Sequence, residues 1–527
     1  MSAPGLDAAH TVVTTASEVV SAAIANLAGA GTLEAEQVVA YDIAHAAAAV
    51  ATARSMLEYG ARGDVEARLA CAFVADVVAD LTGKLVGREE LWGSAPGALD
   101  SARGFLTEFR SPAFVASLAN LEGPRHLDSD FEMVQDTFRA FAEKVIGPHA
   151  EHVHRTNADV PEEVIRGLAD LGAFGLSCPV EYGGFNEGGD GEYLAMVVGT
   201  EELSRVSLGI GGSLVTRPEI LTRALLRGGT EEQKQHWLPQ LASGEVMAAV
   251  AVTEPDFGSD VAGVSVSASA VEGGWVINGT KTWCTFAARA DVLMLLARTD
   301  PDRSKTHRGL SLFVVPKPRA DGHGFAFTQD TGGRMEGRAI DTIGYRGMHS
   351  YEVAFDGWFV AAEHQIGGEA GIGRGFYYQM EGFENGRLQT AARALGVMQA
   401  AYEAARDYAA NRVVFGQPIA NYQLTQAKLG RMAFLIQAGR QFSYEVARLM
   451  ARGEGMLEAS MVKAYVCKAA EWVTREAMQI HGGMGYAEEY TVSRLFVDAR
   501  VLSIFEGADE TLCLKVIARR LIEATNA

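Results

Sequence analysis

At 527 residues the chain exceeds one ordinary hydrophobic core, so two or more domains are expected. Its 48% hydrophobic and 21% charged content excludes a wholly disordered chain. The net charge of -20 works against non-specific binding to nucleic acid or to an anionic membrane surface, since both reward positive potential.

Cys71, Cys178, Cys284, Cys467 and Cys513 are scattered, with no CxxC pair to suggest a disulfide framework or a zinc site. We therefore expect reduced thiols, a cytoplasmic setting and no metal. The opening MSAPGLDAAH lacks a basic region followed by an apolar stretch, and the Ala-rich run near Ala46 is too short to span a bilayer. Neither export nor membrane anchoring is expected.

From about Thr11 to Asn120, apolar residues recur at helical spacing with breaks near Gly60 and Gly83, which predicts a helical N-terminal extension over 1–122. Glu122-Gly123-Pro124 marks a boundary, because proline disfavours a helix running through it, and a second helical domain is predicted over 123–246. Between Ala248 and Phe359 the runs VSVSASAV, WVING, DVLMLLAR, LSLFVV and YEVAF are of β type, separated by turn signals such as Asn278-Gly279. A β domain is predicted over 247–368. After Gly375 helical periodicity returns, with Leu388, Ala391, Leu395, Met398 and Tyr402 on one face, and a helical bundle is predicted over 369–527. The fold class is mainly α with an inserted β domain.

At the entrance to the β domain stands VTEPDFGSD (252–260), and KTWCT (281–285) follows. The hydroxyls of Thr253, Ser259 and Thr285, the backbone amides near Gly258 and the indole of Trp283 suit a polar heterocycle with phosphates. A plain turn built from Pro, Asp, Gly and Ser answers to the same residues. Gly482, Gly483 and Gly485 follow a helix rather than a strand and lack GxGxxG spacing, which excludes a nicotinamide site and suggests a helix C-terminus with its loop.

Four ordered motifs resemble the acyl-CoA dehydrogenase family: VTEPDFGSD, RVVFGQPIANYQ (412–423), QIHGGMGYAEEYTVSRLFVDAR (479–500) and IFEG (504–507). The resemblance spans roughly residues 125–525. It implies an α-helical domain, a β-barrel-like domain and a C-terminal four-helix bundle, with FAD as cofactor. It also implies an acyl-CoA substrate, an electron-transfer flavoprotein as electron acceptor, and a homodimer or homotetramer. Residue by residue it implies flavin contacts at Val252, Thr253, Ser259, Trp283 and Thr285, and contacts to a second subunit's FAD at Arg412, Phe415, Gln423, Gln479 and Gly483. Glu506 becomes the catalytic base, beside an apolar Phe505 that would desolvate it. Phe383, Glu384 and Arg387 become contacts to the CoA moiety.

Read without the resemblance, Arg412 caps a helix dipole, Glu506 is a solvated turn residue, and Glu384 with Arg387 is an i,i+3 surface ion pair. Some family members carry the base immediately before the position of Arg387. Here that position is Gly386, which has no carboxylate. Two departures stand out: Ala508, Asp509 and Glu510 replace the Thr or Ser and Gln that the family often places near the adenine of FAD, and Phe286-Ala287-Ala288 replaces a common Asn-Gly-Gly.

The long extension, with GSLVTRPEI (212–220) and RLQTAARALGVMQAA (387–401), resembles the branch of the family that oxidises a short branched dicarboxylyl-CoA. Burying that substrate's carboxylate requires a cation, and Arg217 is the leading candidate, with pairing to Glu219 as its structural alternative. A generic short- or branched-chain acyl-CoA dehydrogenase, an acyl-CoA oxidase and a non-catalytic flavin-binding homologue are the competing readings.

Overall fold

The computed structural model describes residues 5–29, 33–189 and 191–525. Three long helices open the chain: α1 (Leu6–Gly29), α2 (Gln37–Gly60) and α3 (Asp64–Leu85). Helix α2 ends at Gly60, but α3 runs through Gly83. One glycine costs a helix only about 1 kcal/mol, and the buried face of α3, with Leu69, Phe73, Val74, Val78 and Leu81, outweighs it. Among the described residues α1 is the one helix long and apolar enough to cross a membrane. Its apolar positions Ala9, Val12, Val13, Ala16, Val19 and Val20 are buried and α1 packs on α2 and α3, which accounts for that apolarity.

Two short helices follow, α4 (Arg103–Phe109) and α5 (Pro112–Ala116), the second opened by a Ser111 N-cap. Next come α6 (Ser129–Phe141), α7 (Gly147–Thr156), α8 (Glu162–Asp170), α9 (Leu194–Val206), α10 (Thr216–Gly228) and α11 (Glu231–Ser243). The strands are β1 (Ala248–Ala251), β2 (Ser267–Val271), β3 (Gly274–Thr285), β4 (Val292–Arg298), β5 (Leu310–Pro316), β6 (Gly324–Thr328), β7 (Arg334–Ile340) and β8 (Ser350–Ala361). A 37-residue helix α12 (Gly375–Asn411) leads to a hairpin of β9 (Val413–Val414) and β10 (Gln417–Pro418). Helices α13 (Gln423–Ala451), α14 (Met456–His481), α15 (Thr491–Leu502), α16 (Asp509–Thr511) and α17 (Arg519–Thr525) complete the chain.

The chain divides into two compact units, Met1–Met133 with Thr390–Ala527, and Val134–Gln389. In the first, the extension is built into the C-terminal helices: α2 and α3 pack on α13, and α2 also on α14. Phe73 of α3 meets Phe434 and Tyr465 edge to face, and Arg431 of α13 sits 3.0 Å from Asp76 with its guanidinium over the Trp472 ring.

In the second unit the strands form one sheet in the order β1-β4-β2-β3-β8-β7-β6, with β5 also on β4. Strand β4 is apolar from Val292 to Ala297 because both its faces are covered. Leu293, Leu295 and Ala297 join one core cluster while Val292, Met294 and Leu296 join the other. The Asn278-Gly279 pair is not a turn, as its sequence suggested. It lies inside β3, where the register against β8 shifts, with Gly279 at φ 125° and Asn278 Oδ1 accepting from the Gly357 N–H. A residue that tolerates positive φ serves a bulge as well as a turn. The β2–β3 hairpin turns instead at Glu272-Gly273.

Candidate active site

The loop after β1 is pinned to β3 by a buried ion pair. Glu254 accepts from the backbone N–H groups of Ser265 and Val266 at 2.7 and 2.8 Å and from Lys281 Nζ at 2.8 Å, and Lys281 also donates to the Val252 carbonyl at 2.8 Å. Burial opposes ionisation of Glu254, yet Lys281 and the two N–H groups carry its carboxyl below the usual range. Burial draws the Lys281 ammonium down to about 8. Removing either partner would leave a buried charge uncompensated, at a cost of about 3–5 kcal/mol. The Thr282 N–H then bonds to the Thr253 carbonyl at 2.8 Å, which sets VTEPDFGSD beside KTWCT.

Opposite β8 the register of β3 breaks between Lys281 and Cys284, and in that bulge Trp283 adopts φ 57° with 54% of its surface exposed. A bulge of this kind re-aims a side chain. Val252 and Thr285 are buried, Thr253 is half-buried and Ser259 is exposed, and Thr285 Oγ1 lies 2.9 Å from Ser350 Oγ. The segment after β1 and the end of β3 thus carry the five residues assigned to the flavin, with Thr253 and Thr282 hydrogen-bonded between the two.

Farther along the same unit, Arg217 lies in the first turn of α10, buried, with Nη2 donating to the Tyr345 hydroxyl at 3.3 Å. Glu219 is engaged by the Ser177 hydroxyl at 2.6 Å and by Asn385 Nδ2, and Arg223 reaches Glu192 at 2.6 Å beneath the Tyr193 ring. Asn385 belongs to the α12 segment that carries Phe383, Glu384 and Arg387, so α10 and α12 are joined through Glu219. Glu384 and Arg387 are both buried, which overturns the reading of a solvated surface pair, and Phe383 is half-buried.

The first unit holds Glu506, in the loop between α15 and α16. Its side chain is 5% exposed, not solvated, and its backbone takes φ 55°, a left-handed conformation that costs a non-glycine residue about 1–3 kcal/mol and persists only where the surroundings impose it. Lys463 of α14 supplies that constraint, its buried Nζ donating to the Phe505 carbonyl at 2.6 Å and to the Gly507 carbonyl. Arg393 of α12, fully buried, places Nη2 3.9 Å from Glu506 Oε1 and 2.8 Å from Thr390 Oγ1, with its guanidinium 4.7 Å from the centre of the Phe505 ring. Neither Arg393 nor Lys463 was singled out in the sequence. Arg393 is flanked by Ala391, Ala392 and Ala394, and Lys463 stands between Val462 and Ala464, so each is a lone cation in an uncharged helical run.

Arg412, Phe415, Gln423, Gln479 and Gly483 are all exposed, Phe415 at 95% with φ 49°. Stacking of Tyr408 on His481, with ring centres 4.2 Å apart, joins the C-terminal ends of α12 and α14, from which Arg412 and Gly483 follow. Gly482, at φ 59°, caps α14.

Three family models match the chain: "Acyl-CoA dehydrogenase, N-terminal domain" over residues 128–245, the middle domain over 249–358 and the C-terminal domain over 373–522. The chain is 42% identical over 437 residues to (2S)-methylsuccinyl-CoA dehydrogenase of Cereibacter sphaeroides, covering 80% of this chain and 77% of that protein. A solved glutaryl-coenzyme A dehydrogenase in complex with glutaryl-CoA superposes with a TM-score of 0.69 at 31% identity, over 76% of this chain and 96% of the other. The Mycobacterium smegmatis glutaryl-CoA dehydrogenase in complex with FADH2 does so at 0.65 and 26%, over 75% and 95%.

Proposed function

The chain belongs to the acyl-CoA dehydrogenase family, and from that membership we propose that Glu506 is the base that removes the proton α to the thioester of (2S)-methylsuccinyl-CoA, giving mesaconyl-CoA (2-methylfumaryl-CoA). As a member it is an FAD-dependent oxidoreductase that acts on the CH–CH bond of an acyl-CoA. The observation that carries the base assignment is the environment of Glu506: a desolvated carboxylate on a strained backbone, clamped by Lys463 and balanced by Arg393.

The donor set of residues 252–260 and 281–285 fits a flavin. It offers hydroxyls at Thr253 and Ser259 beside a half-exposed indole at Trp283, on a backbone fixed by the Glu254–Lys281 pair. Bound there, FAD supplies the acceptor for the β hydride. The chain's own part is to hold the acyl group, keep Glu506 ionised and aimed, and take the α proton onto its carboxylate. Exposed Arg412, Phe415, Gln423, Gln479 and Gly483 serve the FAD of a second copy in a homodimer or homotetramer, and an electron-transfer flavoprotein is the acceptor we infer from family membership.

The substrate assignment is supported by the 42% identity to the Cereibacter sphaeroides protein and by buried Arg217, to which we give the substrate's free carboxylate. It would place the enzyme in the ethylmalonyl-CoA route. The test is anaerobic flavin bleaching by methylsuccinyl-, butyryl-, isobutyryl- and glutaryl-CoA in the parent and in Arg217→Ala. Methylsuccinyl-CoA is expected to bleach fastest, and the substitution to raise its half-saturating concentration about tenfold or more while leaving butyryl-CoA nearly unchanged, as loss of a buried charge partner demands. Equal effects on the two thioesters would remove Arg217 from the acyl site, and faster bleaching by butyryl-CoA in the parent would replace the substrate.

A further inference from the structure

Three residues beyond Glu506, Asp509 opens α16 and is buried. Its Oδ2 receives the Tyr41 hydroxyl at 2.5 Å and lies 3.1 Å from His45 Nε2 and 3.4 Å from Lys468 Nζ. Tyr41 and His45 stand one turn apart on α2, their rings edge to face at 4.6 Å. Both belong to the helical extension, outside the residues 128–522 that the family models match. The Asp509 N–H bonds to the Ser503 carbonyl at 3.1 Å and closes the loop on itself, with Glu506 inside the closure. Lys463 holds the middle of that loop and the Asp509 anchor holds its end.

We propose that the N-terminal extension is a working part of the active site, with Tyr41 and His45 acting as positioning residues that fix the base loop through Asp509. Four observations converge on it. Glu506 has a backbone conformation that must be imposed from outside. Asp509 stands among the residues where this chain departs from the family pattern, and the helix it bonds to lies outside the family models. A phenol, an imidazole and a lysine converge on one carboxylate, an arrangement that orients it. Finally, α2 also packs along the Leu512–Ala518 segment just after α16, so the anchor rests on an extended contact.

The proposal rests on Glu506 being the base, and the experiment separates the two claims. The holoenzyme and its Tyr41→Phe, Tyr41→Phe/His45→Leu and His45→Gln variants are compared in two assays: anaerobic flavin bleaching by methylsuccinyl-CoA, and exchange of α hydrogen for deuterium in a CoA thioester whose β carbon is replaced by sulfur, from which no hydride can leave. A misplaced base slows both by the same factor, about 10- to 100-fold in the double variant. Bound FAD and the half-saturating thioester concentration stay within about twofold, and His45→Gln, which keeps an N–H donor, retains most of the rate. Should the double variant not fold, Tyr41→Phe, which removes one hydroxyl, carries the same comparison with a smaller factor. Rates within twofold of the parent in folded, FAD-loaded variants, or slowing that merely tracks loss of FAD, would overturn the proposal. Undiminished α exchange in Glu506→Gln would instead overturn the base assignment.

Discussion

Arg393 places its guanidinium 3.9 Å from the Glu506 carboxylate. A cation at that distance favours the charged form of a carboxylate. Arg393→Met, which keeps side-chain bulk and removes the charge, is expected to move the acidic limb of the bleaching-rate profile upward by about one pH unit or more. The loss of rate should be largest near pH 6 and recover toward pH 9, and Arg393→Lys should lie between. A profile that drops evenly at every pH would mean that Arg393 only supports the fold. The IFEG motif drew attention to Glu506 in the sequence, whereas nothing there pointed to its neighbour Arg393. Arg393 becomes a buried neighbour of Glu506 only when residues 503–507 fold against α12.

Between elements, the contact of α2 with α13 and α14 carries a pH sensitivity. Glu445 of α13 accepts the Ser55 hydroxyl of α2, and burial, then Glu58 of α2 and Glu458 of α14, push its carboxyl up to about 7. Because the folded value is raised, the folded chain keeps a proton that the unfolded chain gives up between the ordinary carboxylate range and about pH 7. Stability therefore falls as pH rises through that window, and the penalty is complete above it. Glu445→Gln removes the term: its Tm should match the parent near pH 5 and exceed it by about 2 °C or more at pH 8. An equal Tm difference at both pH values would contradict this origin.

Element-level legibility followed physical simplicity. The α12 positions Leu388, Ala391, Leu395, Met398 and Tyr402 were readable because apolar residues recur there at helical spacing, although burial is continuous from 384 to 398 and takes in polar residues between them. Strands β4 and β5 were readable because they are buried on both faces. Strands β6 and β7 carry glycine and alternating exposure and give no comparable run, and the Asn278-Gly279 bulge uses the same residues that make a turn.

At the scale of the whole molecule, the extension over 1–122 was visible as helical, yet nothing in its periodicity told what it packs on. That depends on long-range pairs such as Phe73 with Phe434, Arg431 with Asp76 and Tyr41 with Asp509, which place it in one compact unit with the C-terminal helices. The departure at Ala508-Asp509-Glu510, which removes part of the family's usual adenine-side pattern, becomes intelligible there, since Asp509 is occupied with α2. We propose that this helical assembly holds the Glu506 carboxylate in position for proton abstraction. The most direct test is rapid anaerobic mixing of Glu506→Gln with methylsuccinyl-CoA. The variant is expected to retain FAD and bind the thioester but leave the flavin oxidised over times in which the parent is fully bleached, whereas bleaching within about tenfold of the parent rate would show that Glu506 is not the base, since a positioned general base contributes about 10²–10⁴-fold.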